Sequence, residues 1–118
     1  DMSVVRAILK NAVDYPHGII GENPKIDGYD DECVAYHVYL MEQAGLVKAS
    51  NVTFMESRSP QALLAEITWA GYDFADAAAD DAIWKKASVT VLKHGASFTF
   101  DLLKEWLKAE AKAKLGLP

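Results

Sequence analysis

Cysteine is almost absent from this sequence. Cys33 is its single thiol, so an internal disulfide and a cysteine-rich zinc site are both excluded. We interpret Cys33 as a small, half-buried apolar side chain rather than a reactive group. One unpaired thiol suits a reducing compartment, and we therefore expect a cytoplasmic protein.

Long apolar runs are absent as well. No run approaches the roughly 20 residues that a membrane-spanning helix needs, and the first residues lack the basic-then-apolar order of a secretory signal. What the chain does contain is ordinary for a globular protein, with 51% hydrophobic and 25% charged residues. We therefore expect one soluble domain over residues 1–118, with no membrane segment.

Motifs for catalysis and for cofactor binding are also missing. The sequence has no Gly-x-Ser-x-Gly, no phosphate-binding glycine loop and no His-x-x-x-His spacing. Carboxylates cluster at residues 30–32 and 80–81, but a helix is predicted to begin at each place, and helix capping accounts for both groups. The sequence therefore predicts no enzyme, no cofactor and no metal site.

Positive charge is scarce in the first two thirds of the chain. Up to residue 84 there are five basic and fourteen acidic side chains, whereas from Lys85 onward seven lysines accompany three acidic side chains. The net charge of −5 thus divides into −9 and +4. Proteins that bind a DNA duplex usually carry a basic surface where they contact the phosphates.

Apolar spacing, prolines and glycines divide the chain into helices and one hairpin. Asp30 is a good N-cap for a helix that Gly45 would end. The predicted elements are a helix over 1–14, short strands or loop over 18–29, a helix over 30–45, a β-hairpin over 46–69, helices over 71–94 and a C-terminal helix over 98–115. This is an α+β fold, mostly helical, with a small antiparallel sheet.

The predicted C-terminal helix is amphipathic. Five apolar side chains are expected on its inner side: Leu102, Leu103, Trp106, Leu107 and Ala113. Lysines spaced four apart form the outer side, with glutamates among them. A solvated helix face explains these lysines better than a nucleic-acid patch.

The order of these elements is that of winged-helix domains. In such domains the helix before the hairpin enters the DNA major groove, and the hairpin is the wing. The helix over 30–45 and the hairpin over 46–69 hold those two places here. One departure is plain, because a stretch rich in glycine and proline, residues 16–28, occupies the place of the first helix of a helix-turn-helix.

Several short segments form a series that extends over nearly the whole chain. They are Asp1-Met2-Ser3-Val4-Val5-Arg6-Ala7-Ile8-Leu9, Gly28-Tyr29, Ala35-Tyr36-His37-Val38-Tyr39-Leu40, Ala44-Gly45-Leu46-Val47, Thr68-Trp69-Ala70-Gly71 and Ile83-Trp84. In this series the chain resembles a domain-of-unknown-function family of small winged-helix-like proteins from bacteria and their phages. The resemblance implies a bacterial or prophage protein, and it brings no established activity, cofactor or catalytic residue.

The helix over 30–45 has one apolar stripe and an unusual opposite face. Val34, Val38 and Met41 recur at helical spacing and are the predicted core side chains. The opposite face consists of Cys33, Tyr36, His37, Leu40 and Gln43. A DNA-binding helix would present Arg, Lys, Asn or Gln there. An apolar outer face is usually covered, and three candidates for the cover are the last helix of the same chain, a protein partner and a nucleic acid.

The sequence leaves two functions open. The first is a bacterial or prophage transcriptional regulator that binds DNA, with Gln43, Lys48 and Arg58 as contacts. The second is a protein-interaction module, or a homodimer, that uses the face formed by Tyr36, His37 and Leu40. His37 itself is interpreted as a partly buried, hydrogen-bonded side chain rather than a ligand or a general base.

Overall fold

Helices and one β-hairpin make up the computed structural model, which describes residues 1–15, 20–53, 55–56, 58–92 and 100–116. The chain forms two compact units, residues 1–75 and residues 76–118. The first contains helices and a two-stranded antiparallel sheet, and the second is helical where it is described. The predicted α+β, mostly helical architecture with a hairpin sheet is confirmed.

The first unit begins with helix α1, Met2–Ala12. Asp1 caps it, because its carboxylate accepts a hydrogen bond of 2.9 Å from the backbone N–H of Ser3. Val4 and Ile8, one helical turn apart, are fully buried on the side that packs against the next helix. The apolar spacing in the sequence is therefore the reason that α1 forms and stays in place.

Helix α2, Asp31–Gln43, begins at its N-cap Asp30. It ends at Gly45, whose φ of 80° is a left-handed conformation that glycine adopts without strain. This lets the backbone N–H of Leu46 donate to the carbonyl of Met41 at 3.0 Å, the bond that closes many helices. The helix thus begins one residue after, and ends two residues before, the limits of the predicted range 30–45.

Strands β1, Val47–Asn51, and β2, Ala62–Ile67, follow and pair antiparallel. The register shifts after Lys48, which leaves Ala65 opposite no residue of β1. Such a bulge bends a strand and increases its twist. Both strands contact α2, so the hairpin runs back along the helix that precedes it.

Residues 20–30 form turns and bends but no strand. Of the two alternatives predicted for 18–29, the structure therefore has a loop, and the short strand expected near Lys25 does not form. Residues 18 and 19 lie outside the described residues. Glycines and Pro24 explain the loop, because proline lacks an N–H and glycine weakens a strand.

This loop nevertheless completes the outer edge of β2. The backbone N–H of Ile20 donates to the carbonyl of the bulge residue, Ala65, at 2.8 Å. The side-chain amide of Asn23 donates to the carbonyl of Ala62 at 3.0 Å and accepts from the N–H of Leu64 at 2.9 Å. One amide side chain therefore makes the two hydrogen bonds that a third strand would make.

Helix α3, Trp69–Ala77, is fixed to the end of α2 by Thr68. The Thr68 hydroxyl caps α3 by accepting from the N–H of Gly71 at 3.1 Å, and it donates to the carbonyl of Gly45 at 2.6 Å. The Thr68 N–H donates to the carbonyl of Leu46 at 3.0 Å. A Cβ on Gly71 would lie only 2.1 Å from that same carbonyl oxygen, so only glycine fits there.

The second unit contains helix α4, Asp81–Ala87, which continues into a π-helical turn, Ser88–Leu92, and helix α5, Phe100–Lys114. Helices α4 and α5 contact each other. The predicted helices over 71–94 thus correspond to separate helices, and residues 93–99 lie outside the described part of the chain.

The inner side of α5 is narrower than the sequence predicted. Leu103 and Leu107 are fully buried, but Leu102 is 59% exposed and Ala113 is exposed as well. The expected inward position of these last two is wrong. Leu103 and Leu107 are one turn apart, whereas Leu102 lies about 100° away around the helix. The contact between α4 and α5 therefore buries the stripe of Leu103 and Leu107 and does not extend to Leu102.

Candidate functional site

The predicted core stripe of α2 is buried. Val34, Val38 and Met41 each have 1% or less of their surface exposed, as their spacing indicates. The face on the other side is less uniform than expected: Tyr36 is half-buried, His37 is buried and Leu40 is exposed. Of the three predicted interaction residues, only Leu40 is exposed, with 37% of its surface accessible.

His37 makes two hydrogen bonds within the chain. Its Nδ1 lies 2.8 Å from the carbonyl oxygen of Cys33, and its Nε2 lies 3.1 Å from the backbone nitrogen of Asp1. A neutral imidazole with its proton on Nδ1 satisfies both contacts, donating to the carbonyl and accepting at Nε2. These contacts match the interpretation of His37 as a hydrogen-bonded, largely buried side chain.

The thiol of Cys33 lies 3.7 Å from Nδ1 of His37. A cysteine and a histidine at this distance could in principle act as a nucleophile and its general base. A general base must offer a lone pair to the proton that it removes. Nδ1 is engaged with the Cys33 carbonyl at the shorter distance of 2.8 Å, so its proton points at the backbone. The geometry does not activate the thiol.

Asp1 joins three of the segments that carry the family resemblance. One carboxylate oxygen caps α1 at Ser3, and the other accepts a hydrogen bond of 3.2 Å from the Tyr29 hydroxyl. Its backbone nitrogen contacts His37. These side chains therefore hold α1, the loop before α2 and α2 itself together, and their role is structural.

Two of the predicted nucleic-acid contacts lie near the C-terminal end of α2. Gln43 is in the last turn of the helix, and its amide donates to the Tyr39 hydroxyl at 3.1 Å. Lys48 is the second residue of β1, and its ammonium lies 3.2 Å from the carboxylate of Glu66 across the hairpin. Both side chains are exposed, but each already has a partner.

Arg58 lies at the other end of α2. Its backbone N–H donates to the carboxylate of Glu32 at 2.9 Å, which ties the hairpin loop to the first turn of the helix. Glu32 and Gln43 are separated by about 16 Å along the axis. The structure therefore brings Gln43 and Lys48 to one region and places Arg58 in another.

The first turn of α2 is acidic, and each of its carboxylates has a partner within the chain. Asp30 caps the helix, Asp31 pairs with Lys25 at 2.7 Å, and Glu32 receives the Arg58 N–H. In helix-turn-helix proteins the N-terminal residues of the recognition helix contact base edges. Three carboxylates at that place repel phosphate rather than attract it.

Other site types find no support in the described part of the chain. No group of three or more His, Cys, Asp or Glu side chains there is placed to hold a metal ion. Among the described helices, none combines the length and the apolar character needed to cross a membrane.

Trp69 is the feature that the sequence analysis missed. This first residue of α3 is 90% exposed, although its neighbours Thr68 and Gly71 are fixed by contacts with the end of α2. Tyr72, one turn further along the helix, is 37% exposed. The helical period could have indicated this exposure. Gly71 and Phe74 form the buried stripe of α3, and position 69 lies on a different side of the helix.

Comparison with known proteins agrees with the resemblance drawn from the sequence segments. A family model described as "Hypothetical protein (DUF2513)" matches residues 1–97. A curated protein of Haemophilus influenzae, described as an uncharacterized protein, is 30% identical over 78 residues. That alignment covers 66% of this chain, and the chain spans 64% of the length of the relative.

No solved structure matches the chain. The family model covers the whole of the first unit, including Asp1, Thr68, Trp69 and Gly71, and it ends before α5. The chain therefore belongs to the DUF2513 family of hypothetical proteins.

Proposed function

We propose that the protein is a non-enzymatic interaction module that binds another protein through the surface around Trp69. The observation that carries this proposal is an indole that is 90% exposed at a helix start whose backbone is fixed on both sides. Tryptophan is enriched among the residues that dominate protein interfaces. A rigid anchor also loses little conformational entropy on binding.

The surface has a second component, the exposed end of α2. Thr68 bonds to Gly45 and Leu46, which brings the start of α3 next to this end. We define the Trp69 surface as Trp69 and Tyr72 of α3 together with residues 42–44 of α2, all of which are exposed.

The face predicted from the sequence flanks this surface. Leu40 is 37% exposed and lies one helical turn before Ala44. His37 is buried and contributes no contact area. The interaction hypothesis is thus retained, with its centre moved from the middle of α2 to the junction of α2 and α3.

A DNA-binding, winged-helix regulator is the second candidate. It is favoured by one arrangement: a helix is followed by a hairpin whose loop, through Arg58, returns to the first turn of that helix. The acidic residues of that turn oppose it. A bacterial or prophage regulator in the cytoplasm, with Gln43, Lys48 and Arg58 on the duplex, therefore ranks below the interaction module.

Site-specific photocrosslinking tests the first proposal. A benzoylphenylalanine replaces Ala70, which is exposed beside Trp69, and a second variant carries it at Met55, which is fully exposed on the hairpin loop. We expect an adduct, with another protein or with a second copy, from position 70 only, and its loss when Trp69→Ala is added. Equal adducts from both positions, or none from position 70, would overturn the proposal.

Fluorescence anisotropy with random duplex DNA tests the second candidate. Phosphate contacts would give binding that weakens steeply as salt rises, and the pair Lys48→Glu and Arg58→Glu would abolish it. Because the first turn of α2 is acidic, we expect no binding even at low salt.

A further inference from the structure

We infer that the Trp69 surface binds a peptide segment whose side chains are positively charged, arginine above all. The inference rests on the proposed function and names the chemistry of the partner. It draws on three properties of the described residues: the exposed indole, the electrostatics of the end of α2 and the charge of the first unit.

The exposed indole supplies the flat surface that a cation needs. The electron-rich face of tryptophan attracts Lys and Arg more strongly than that of any other aromatic side chain. The planar guanidinium of arginine also stacks on the ring, which an ammonium cannot do. Tyr72, 37% exposed one turn along α3, adds a second aromatic ring to the same surface.

The end of α2 is acidic at this place. The last turn of α2 contains no basic residue, and it contains the exposed Glu42. The Thr68–Gly45 hydrogen bond joins this helix end to the start of α3, so Trp69 and Glu42 belong to adjoining helix ends.

The basic residue nearest in sequence to this surface is engaged elsewhere. Lys48, the basic residue nearest to the end of α2 in the chain, is paired with Glu66. Residues 1–75 as a whole carry eleven acidic and five basic side chains. A positively charged segment is therefore attracted over a distance as well as at contact, whereas an acidic partner or a nucleic acid is repelled.

Two capped peptides provide the test. One alternates glycine and arginine over seven residues, and the other replaces each arginine by citrulline, which has nearly the same shape and no charge. The full chain is labelled with ¹⁵N, and the indole N–H signal of Trp69 is assigned by its absence in Trp69→Phe. We expect the arginine peptide to shift this signal and the citrulline peptide to leave it unchanged.

The size of the effect is set by the contacts. Trp69→Ala should weaken binding of the arginine peptide by about 5- to 10-fold, measured by calorimetry. Glu42→Gln should weaken it by about 2-fold, as expected for an exposed charge pair, and raised salt should weaken it further. Met55→Ala, an equally exposed control, should have no effect. Unchanged backbone amide signals from buried residues of the first unit, such as Val4 and Val38, show that each variant is folded.

The outcomes separate this inference from the proposed function. Equal shifts with both peptides, or none with the arginine peptide, overturn the inference. If the adduct from position 70 is still formed in that case, the interaction module stands and its partner is not basic. If neither is seen, both proposals fail.

Discussion

The two compact units of the chain are stabilised internally in different ways. Both units contain exposed ion pairs and helix caps, and they differ in the bonds that join separate elements. In residues 1–75, short side chains bond to the backbone of other elements: Asn23 to β2 and Thr68 to the end of α2. In the described part of residues 76–118, ion pairs join α4 to α5: Lys86 with Glu110 and Lys114 with Asp80. Short side chains fix geometry, whereas exposed ion pairs add little to stability and are weakened by salt. The first unit is therefore the better structural support for a binding surface.

The largest expected effect tests the junction of α2 and α3. Gly71→Ala would place a Cβ 2.1 Å from the Leu46 carbonyl oxygen and 2.5 Å from Cγ2 of Ile67. Because one neighbour is backbone, relief requires α3 to move, and we expect a loss of about 3 kcal/mol in the free energy of unfolding. Urea denaturation followed by circular dichroism measures it.

Gly21→Ala is the matched control for this change. Nothing lies within 4 Å of the position that its Cβ would take, so the variant should be neutral or slightly stabilised. Equal stability of both variants would show that the junction of α2 and α3 rearranges easily to accept the Cβ. The contrast between the two units would then lose its main support.

A smaller effect is expected at Asn23. Asn23→Ala leaves the N–H of Leu64 and the carbonyl of Ala62 without this partner, at a cost of about 2 kcal/mol. Asn23→Asp keeps the acceptor and loses the donor, so its cost should fall between that of alanine and wild type. Hydrogen exchange at the Leu64 amide should become faster in both variants.

Asn11→Ala serves as the control for Asn23, because Asn11 is exposed on α1 and alanine favours a helix. It should leave stability unchanged or slightly raised. If high salt weakened the Asn23 contribution as it weakens an ion pair, the proposed division between the units would be wrong.

The smallest effect is expected in the second unit, at Asp80. Hydrogen bonds from Lys114 and from the backbone N–H of Ile83 hold the pKa of Asp80 below its ordinary value of 3.8. The charged carboxylate therefore stabilises the fold above that pH, and this contribution is lost as pH falls through the lowered pKa. Asp80→Asn keeps the helix cap but not the charge.

Tryptophan emission from Trp84 and Trp106, measured in a Trp69→Phe background, reports on this unit alone. The unfolding midpoint should fall more between pH 6 and pH 3 for the parent than for Asp80→Asn, and 1 M salt should narrow the difference. Identical pH profiles for the two would show that the ion pair with Lys114 contributes nothing.

Much of the fold could be predicted because its signals are local. Apolar spacing located the helices, Asp30 and Gly45 marked the ends of α2, and branched residues on either side of a polar loop indicated the hairpin. The family resemblance came from segments that meet in space at Asp1 and at Thr68. These contacts join residues that are far apart in sequence, and the periodicity of apolar residues gives no information about them.

The candidate site could be predicted only in part. The apolar face of α2 was correctly noticed, but His37 turned out to be buried because it bonds to Asp1, 36 residues away. The predicted hairpin, 46–69, includes Trp69, whereas in the structure this residue begins α3. Its exposure follows from the close approach of Gly71 to Leu46. Leu102 was placed inward because the apolar residues of α5 were counted without knowing that its contact with α4 is narrow.

Asn23 has a consequence for how the protein behaves at high concentration. A sheet edge with free N–H and carbonyl groups is a template on which strands of other molecules can add, and this is a common route to aggregation. Along β2, Ile20 and Asn23 already occupy the groups of Ala62, Leu64 and Ala65. Asn23 and Ile20 thus close the β2 edge, which would otherwise need a further strand, and they keep a foreign chain from extending the sheet on that side.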